Sequence, residues 1–281
     1  MALADFIIIG AMKCGTSTLQ VQLAAQPGIF MTTPKEPNFF SDDPVFARGR
    51  DWYEALYADA APGDLKGEAS THYTKLPTWP ETVPRLSAMI PAPKLIYMIR
   101  NPVTRAVSHF IHEWSTGVLQ GDMTEAFAQH EPLTAYGRYG MQIAPFAETF
   151  GRDALMLTSL EQLTADPDAE LARIADFIGF DGTPVWQPDQ AQQNVSAARI
   201  RRFPLHGLLV DSAPAIFLRR RLIPQSLRDR IRQARTIGKR PELPDALCLK
   251  LEGIYKEDRA ALAQVFPDHP ALDLCYPFAA P

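Results

Sequence analysis

The sequence predicts one α/β domain of three layers, in which a central parallel sheet of about five strands is flanked by helices. Short apolar runs alternate with helix-like segments along the chain, a pattern typical of parallel sheets with helices on both faces. The first run, DFIIIG (5–10), is apolar over almost its whole length, as expected of a strand buried on both faces. The 281 residues are enough for one substantial core.

The predicted strands are the first apolar run and four further strand candidates, separated by helix-like segments. They are DFIIIG (5–10), GIFMTT (28–33), DLKGEAS (64–70), KLIYMIR (94–100) and ALMLTSL (154–160). The clearest helices are predicted over 79–90, 102–117, 141–150, 167–178, 224–235 and 243–264. Asn101-Pro102 and Asp166-Pro167 each place a capping side chain before a proline that suits the first helical turn.

The C-terminal third is expected to be more irregular, because prolines concentrate between elements and break up the segment 181–204. We interpret 1–281 as a single domain that includes a basic, partly irregular segment over 199–240. A helix over 243–264 is expected to follow that segment.

Composition restricts the function classes. A net charge of -4 disfavours a general nucleic-acid binder. The three cysteines, Cys14, Cys248 and Cys275, are widely spaced, which suits a reducing compartment and gives no metal-ligand spacing, so no metal is expected. No basic leader precedes the first strand, and no run approaches the ~20 apolar residues of a membrane span. We therefore expect a cytoplasmic protein.

The stretch GAMKCGTST (10–18) connects the first strand to a helix-like segment. Gly10 and Gly15 have the spacing of a phosphate-binding P-loop, but Thr16 stands where that motif requires lysine. Lys13 lies inside the loop instead and is expected to contact a different atom. A glycine-rich turn before a helix exposes backbone amides to an anion. Hydroxyl side chains that add donors follow the second glycine: Thr16, Ser17 and Thr18.

A second anion-binding pattern lies in KLIYMIRNPVTRAVSHF (94–110). Arg100 ends a buried strand, and Ser108 lies about two turns into the next helix, on the same face as Arg105. An arginine at a strand end and a hydroxyl on the following helix can bind one phosphate together. Taken alone, an ordinary strand-to-helix junction with solvated arginines explains this stretch equally well.

Together the two stretches resemble sulfotransferases that use 3′-phosphoadenosine 5′-phosphosulfate (PAPS). FIIIGAMKCGTSTL is similar to the 5′-phosphosulfate loop of that family, and RNPVTRAVSHF matches R-[DN]-P-x-x-R-x-x-S-x-[FY], its 3′-phosphate site. KEPNFF (35–40) is similar to a segment of the carbohydrate-type, heparan-sulfotransferase-like and bacterial branch. The resemblance implies a P-loop NTPase-like fold, PAPS as donor and 3′-phosphoadenosine 5′-phosphate (PAP) as product, with no metal.

The resemblance also implies residue roles. Lys13 is expected to contact the oxygen that bridges phosphate and sulfate. Contacts to the donor are predicted for Lys13, Cys14, Gly15, Thr16, Ser17, Thr18, Arg100 and Ser108. QNVSAARIRR is similar to a segment that closes over the nucleotide in bacterial relatives, so Arg199 is predicted to contact the 3′-phosphate. For Cys14 we favour a packing role over thiol chemistry.

The catalytic base must remove the acceptor's proton, and two acids compete for this role. Related glycan sulfotransferases place their catalytic glutamate at the position matching Glu36, so Glu36 is predicted first and Glu68 second. The family often carries lysine where this chain has Ala69. We also predict substrate contacts for Lys35 and His72. A solvated loop lysine and a structurally hydrogen-bonded histidine are the respective alternatives.

Two further histidines, His109 and His112, are interpreted as helix-surface residues, because no third ligand stands at a clear metal-binding spacing. The segment Arg199–Arg240 carries twelve Lys or Arg and two Asp, a net charge of +10. Three interpretations stay open: a solvated helix face, an entry for anionic substrates, and peripheral membrane contact through 205–235.

The sequence thus predicts an enzyme that moves a sulfuryl group from PAPS to a hydroxyl or amine of a glycan, lipid or small-molecule acceptor. Two other classes are a P-loop nucleotide kinase or NTPase, which the missing P-loop lysine disfavours, and a non-catalytic nucleotide-binding protein. Acceptor loops vary most within a fold, so the acceptor is not predicted.

Overall fold

A parallel five-stranded sheet forms the centre of the computed structural model, which describes residues 3–192 and 241–279. The strands are β1 (Phe6–Gly10), β2 (Ile29–Met31), β3 (Leu65–Ala69), β4 (Lys94–Ile99) and β5 (Leu155–Ser159). The sheet order is β2-β3-β1-β4-β5, and every adjacent pair is parallel. Each strand lies inside a predicted run, so the predicted fold class is confirmed.

The helices pack around this sheet and follow the predicted alternation. Within the described residues they are α1 (Thr16–Ala24), α2 (Asp43–Phe46), α3 (Arg50–Ala55), α4 (Thr82–Met89), α5 (Pro102–Thr116), α6 (Met123–Gln129), α7 (Pro132–Ala135), α8 (Tyr139–Phe150), α9 (Leu160–Ala165), α10 (Pro167–Ile178), α11 (Pro188–Gln192), α12 (Asp245–Val265) and α13 (Ala271–Leu274). Their apolar side chains form one core cluster with the strands. None of them combines the length and apolar composition that a membrane span requires.

Two helix starts form through the predicted caps. The Asn101 side chain accepts the Thr104 amide at 3.0 Å, and Asp166 accepts the Ala169 amide at 3.1 Å. Each cap satisfies an amide that the first turn of a helix leaves without an internal partner. The predicted helix over 224–235 and the basic segment over 199–240 lie outside the described residues.

β1 is the middle strand, which explains its continuous apolar sequence. It pairs with β3 on one side and β4 on the other, and Phe6, Ile7, Ile8 and Ile9 have no exposed surface. A strand covered on both faces has no position for a polar side chain. The loop that follows β1 therefore starts from a rigid, fully buried strand.

Gln22 in α1 and Gln26 just after it hold the segment 185–187 against this helix. The side-chain amide of Gln22 exchanges two hydrogen bonds of 2.8 Å with the backbone of Gln187. Gln26 bonds the backbone of Val185 in the same way, at 2.9 and 3.0 Å. These four bonds attach part of the irregular segment predicted over 181–204 to α1 and the residues that follow it.

The packing of α8 against α12 depends on Gly140. A Cβ atom there would lie 2.5 Å from the carbonyl oxygen of Asp258 and 2.7 Å from the amide of Leu262. The Asp258 carboxylate accepts the amides of Gly140 and Met141, at 2.7 and 2.9 Å, and so caps the start of α8. The two helix backbones therefore approach too closely for any side chain at this position.

Gly140→Ala is expected to lower the free energy of unfolding by about 1–3 kcal/mol, because two backbones must separate to admit the methyl group. Urea denaturation followed by circular dichroism measures this change. Gly253→Ala is the matched control, since nothing lies within 4 Å of a Cβ at that position of α12. The control is expected to be neutral or stabilising by up to ~1 kcal/mol, and equal destabilisation by both variants would contradict the account.

Candidate active site

The segments that follow β1, β2, β3 and β4 meet at the carboxyl edge of the sheet, where active sites of parallel sheets form. The amide of Ala11 donates to the carbonyl of Met98 at 2.7 Å, next to the end of β4. The amide of Glu36 donates to the carbonyl of Ala69, the last residue of β3, at 3.0 Å. Both predicted motifs and the KEPNFF segment are thus brought together.

The stretch 10–18, the glycine loop, contains two glycines with positive φ angles, Gly10 and Gly15. Gly15 has a φ of 94° and caps α1, its carbonyl accepting the amides of Thr18 and Leu19. The amides of Thr16 and Ser17 lie in the first turn of α1, where a helix presents N–H groups to an anion. The Thr16 side chain is buried, whereas those of Ser17 and Thr18 are partly exposed.

Gly10 allows the loop to approach the 3₁₀ turn Thr71–Thr74 that follows β3. A Cβ atom on Gly10 would lie 1.9 Å from Thr74 Oγ1, and this hydroxyl donates to the Ile9 carbonyl at 2.9 Å. No side chain fits between them. The end of β1 is therefore held against the segment that contains Thr71 and Tyr73.

Arg100 connects the two predicted anion sites. Its Nη1 donates to the carbonyl of Lys13 at 3.3 Å, and Lys13 itself has a φ of 70°. Within the described residues, the buried Nε of Arg100 has no hydrogen-bond partner. A buried donor without a partner is costly, and a phosphate oxygen would satisfy it. This arrangement fits the anionic donor that the sequence predicts.

Tyr139 also bridges the two motifs, a role that sequence reasoning missed. Its hydroxyl accepts the amide of Arg100 at 3.4 Å and lies 3.3 Å from the sulfur of Cys14. The only signal was a glycine and aromatic cluster, YGRYG (136–140), which predicts no particular contact.

Arg105 and Ser108 occupy different environments, although they are three residues apart on α5. Ser108 is half-buried, whereas Arg105 is fully buried and its Nη2 donates to the carbonyl of Leu133 in α7. Arg105 is thus not a solvated arginine, as the alternative interpretation of this stretch required. Its charge contributes to the interior beneath the site, and Ser108 keeps the accessibility that a phosphate contact needs.

Glu36 is held at the sheet edge by the two aromatic residues that follow it in KEPNFF. Phe39 and Phe40 are buried and pack against Tyr53, with ring centroids 4.8 and 5.1 Å apart. Phe40 also packs on Tyr73 at 5.6 Å. The aromatic pair therefore anchors the segment, while the Glu36 side chain stays about one-third exposed.

Lys35 joins Glu36 to the glycine loop. Its Nζ donates to Ser17 Oγ at 2.5 Å and lies 3.2 Å from Glu36 Oε1. Thr71 Oγ1 donates to the same carboxylate oxygen at 3.3 Å. Lys35 is thus bound within the site, and the solvated-lysine alternative is wrong.

Glu68 is fully buried, which contradicts its prediction as the second candidate base. Burial raises the pKa of its carboxyl group, while surrounding hydroxyls lower it. Those hydroxyls belong to Tyr73, Tyr53, Ser70 and Tyr57. A base must touch the acceptor, and a carboxyl without exposed surface does not. The sequence placed Glu68 correctly near a strand end but gave no indication of which side chains cover it.

The histidines have structural contacts. His72 Nδ1 lies 3.0 Å from Asp42 Oδ1, and its ring stacks on Trp79 at 5.6 Å, so its acceptor contact stays a prediction. The surface interpretation of His109 is wrong, because the ring is buried and stacks on Tyr136 at 5.6 Å. Burial lowers the pKa of His109 to about 4. His112 is partly exposed.

Lys75 is a second residue that no motif indicated. It is buried, and its Nζ lies 5.7 Å from the ring centroid of Tyr136. Burial lowers the pKa of the Lys75 ammonium to about 8, although the nearby Glu36 carboxylate raises it. The packing that buries this lysine comes from distant segments and leaves no local trace in the sequence.

Comparison with known proteins decides the family. Residues 3–259 match the family model for the sulfotransferase domain. The chain belongs to the sulfotransferase domain family. Human heparan sulfate glucosamine 3-O-sulfotransferase 6 is 32% identical to this sulfotransferase domain over 182 residues, 62% of this chain and 52% of that relative. Mouse heparan sulfate glucosamine 3-O-sulfotransferase 3B1 is 30% identical over 190 residues, 63% of this chain and 46% of that relative.

The sulfotransferase domain thus spans about half the length of these curated relatives. A crystal structure of a sulfotransferase from Alicyclobacillus acidocaldarius aligns with a TM-score of 0.69 at 22% identity, covering 97% of this chain and 99% of that one. A mouse sulfotransferase complexed with PAP aligns with a TM-score of 0.51 at 16% identity, covering 99% and 90%. These likenesses support the predicted P-loop NTPase-like fold.

Some predicted contacts of the sulfotransferase domain are not described. Arg199 and the segment 205–235 lie outside the described residues. In the ranges 3–192 and 241–279, no group of three or more His, Cys, Asp or Glu side chains is arranged to hold a metal ion.

The Cys14 thiol of the sulfotransferase domain is expected to resist alkylation. Burial raises its pKa to about 11, so the reactive thiolate is scarce at pH 8. Iodoacetamide labelling followed by mass spectrometry should modify Cys14 at least about tenfold more slowly than Cys248, which is partly exposed on α12. Urea should remove the difference. Equal labelling in the folded protein would show that the thiol is accessible and not a packing residue.

Proposed function

We propose that this sulfotransferase domain transfers the sulfuryl group of PAPS to a hydroxyl or amine of an acceptor. The observation that carries the proposal is the Lys35 bridge, because it holds Glu36 beside the glycine loop at contact distances of 2.5 and 3.2 Å. An anion-binding loop and a partly exposed acid thereby lie within one side chain's length. In-line group transfer needs this combination of a donor cradle and an adjacent base.

The donor would bind along the loop and the start of α5. The amides of the first turn of α1 and the hydroxyls of Ser17 and Thr18 would hold the 5′-phosphosulfate. Arg100 Nε, buried and without a partner among the described residues, would donate to the 3′-phosphate together with Ser108. Lys13 would contact the bridging oxygen, where negative charge develops as the bond to sulfur breaks.

Glu36 would act as the general base. The acceptor oxygen attacks sulfur, the bond from sulfur to the bridging oxygen breaks, and the acceptor proton passes to the Glu36 carboxylate. The products are a sulfate ester and PAP. Lys35 and Thr71 both contact Oε1, so Oε2 is the oxygen we assign to the acceptor. Lys35 would also stabilise charge on the transferring group.

A glycan hydroxyl is the first acceptor class that we propose. Support comes from the relatives, which are named heparan sulfate glucosamine 3-O-sulfotransferases. Small-molecule and lipid acceptors are the other proposed classes. For a lipid acceptor, residues 205–235 of the basic segment would bind the membrane surface that contains it.

Replacing Lys13 by Ala or Glu36 by Gln is expected to reduce transfer by about 100-fold or more, since each removes one charge or proton-transfer function from the reaction. Transfer of ³⁵S from labelled PAPS into heparan sulfate, or into a cell extract as a mixed acceptor pool, measures this loss. Glu125→Gln, an exposed acid of α6, is the control and should keep the full rate.

The Glu36→Gln variant allows nucleotide binding to be measured separately from sulfuryl transfer. Glu36→Gln should bind PAP as tightly as the parent protein in calorimetry, because the base does not contact the nucleotide. Full transfer by either variant would remove its residue from the mechanism. Absence of transfer by the parent protein to every acceptor tried would reject the proposed function.

Transfer is expected to proceed without a divalent metal, because Lys13 supplies the positive charge at the leaving oxygen. EDTA should change the rate by less than about twofold, whereas removal of an essential metal abolishes Lewis-acid catalysis. A loss of rate on chelation that Mg²⁺ restores would contradict this assignment.

A further inference from the structure

The junction between β4 and α5 carries Arg100, the residue assigned to the 3′-phosphate. β4 ends at Ile99, Arg100 follows it, and Asn101 caps α5. The side chain and the carbonyl of Asn101 accept amides of the first turn of α5, but its own amide precedes that turn. That N–H group therefore needs a partner from outside α5.

Glu161 supplies that partner from the first turn of α9. Its Oε1 accepts the Asn101 amide at 2.8 Å. The strands β4 and β5 pair in parallel, with Ile99 opposite Ser159. Asn101 and Glu161 each lie two residues beyond that pair. The hydrogen bond thus joins two neighbouring strand ends at the carboxyl edge of the sheet, where the donor would bind.

The second carboxylate oxygen of Glu161 is held by the C-terminal part of the chain. Cys275 Sγ donates to Oε2 at 3.3 Å, and the Cys275 side chain is buried. Burial raises the pKa of this thiol well above its usual range, so the sulfur keeps the proton that it donates. Both oxygens of Glu161 therefore have donors, which fixes the orientation of the carboxylate.

Two consecutive amides of the junction are bonded to side chains of other helices. Arg100 donates its amide to the Tyr139 hydroxyl of α8 at 3.4 Å, and Asn101 donates to Glu161 of α9. The Arg100 side chain extends from this fixed backbone. Its Nη1 donates to the Lys13 carbonyl, and its buried Nε has no partner among the described residues. A rotation of the junction would move Nε away from the phosphate oxygen that it is assigned to bind.

We propose that Glu161 is a positioning residue for the 3′-phosphate site, which it holds in place through the Asn101 amide. The inference rests on the proposed function, because that function assigns Arg100 to the donor. In this role Glu161 acts through the backbone and touches no donor atom. Its carboxylate fixes the junction from which Arg100 extends to the phosphate.

Glu161→Ala is expected to weaken the calorimetric affinity for PAP about tenfold or more, because the Asn101 amide loses its acceptor and Arg100 leaves its productive position. The KM for PAPS should rise similarly, while kcat at saturating PAPS stays within about threefold. Charge alone predicts the opposite sign, since removal of a carboxylate near an anion site strengthens anion binding. Unchanged or tighter binding of PAP by Glu161→Ala would overturn the inference.

Two conservative variants separate the hydrogen bond from the charge, and they also serve if Glu161→Ala does not fold. Glu161→Gln keeps an oxygen that accepts the Asn101 amide, so its PAP affinity should equal that of the parent protein within about threefold, or exceed it. Glu161→Asp keeps the charge but withdraws the oxygen by one methylene, so it should weaken PAP binding at least about threefold. Weak binding by Glu161→Gln, or parent affinity in Glu161→Asp, would contradict the proposed role.

Gln162→Ala is the matched control. Gln162 is the next residue of α9, and its side-chain oxygen accepts the Ser159 hydroxyl at 3.1 Å within the same helix start. Its substitution removes a polar side chain from α9 but leaves the bond between Glu161 and Asn101 in place. PAP affinity should therefore stay within about twofold of the parent value. Equal weakening by Gln162→Ala and Glu161→Ala would show a general effect of disturbing α9 and would refute the inference.

Hydrogen exchange distinguishes failure of this inference from failure of the proposed function. In Glu161→Ala without nucleotide, the Asn101 amide should exchange about tenfold or more faster, while the amides of β4 keep their protection. If the parent protein binds no PAP, the proposed function fails, and exchange at Asn101 still tests the contact. Unchanged exchange of the Asn101 amide would show that Glu161 does not hold the junction.

Discussion

The contact between Gly10 and Thr74 is the constraint on which the site depends. The hydroxyl of Thr74 occupies the place where a side chain at Gly10 would lie, and it bonds the Ile9 carbonyl at 2.9 Å. The glycine loop and the 3₁₀ turn after β3 are therefore fixed against each other. That turn contains Thr71, which contacts Glu36, and Tyr73, which contacts the Phe40 amide. One close approach thus sets the distance between the anion-binding loop and the acid.

Three basic residues lie together at this edge of the sheet. The net charge of the chain is -4, yet Lys13, Lys35 and Arg100 meet at the carboxyl ends of the strands. A cluster of positive charge attracts a donor that carries several negative charges more strongly than it attracts a neutral molecule. Arg105 and Lys75 add charge from the interior, where low exposure strengthens their effect.

The sheet and several helix starts were predictable because their causes are local. The continuous apolar run of β1 marks a strand buried on both faces. Asn101 and Asp166 cap helices through bonds to amides three residues ahead. The glycine loop was predictable because glycine spacing before a helix determines its backbone. The role of Glu36 was predicted from a family resemblance. The structure shows in addition that Lys35 connects Glu36 to Ser17 of the glycine loop.

The burial of Glu68 and His109 was not predictable, because it depends on partners far along the chain. Glu68 is covered by tyrosines from α3 and from the turn after β3, and His109 by Tyr136 beyond α7. The sequence pattern of a strand or helix predicts on which face of the element a residue lies, but it does not predict which distant residues pack on that face. The difference in burial between Arg105 and Ser108 has the same cause.

We propose that the glycine loop and Arg100 select a donor with a 3′-phosphate, and calorimetric titration with PAP and with ATP measures this selectivity. PAP should bind with one-to-one stoichiometry, and ATP with Mg²⁺ should bind about 100-fold more weakly, because it offers Arg100 no phosphate at the 3′ position. Arg100→Ala should remove most of that preference. Binding of ATP with Mg²⁺ as tightly as PAP, or a preference that survives in Arg100→Ala, would show that Arg100 does not select the 3′-phosphate.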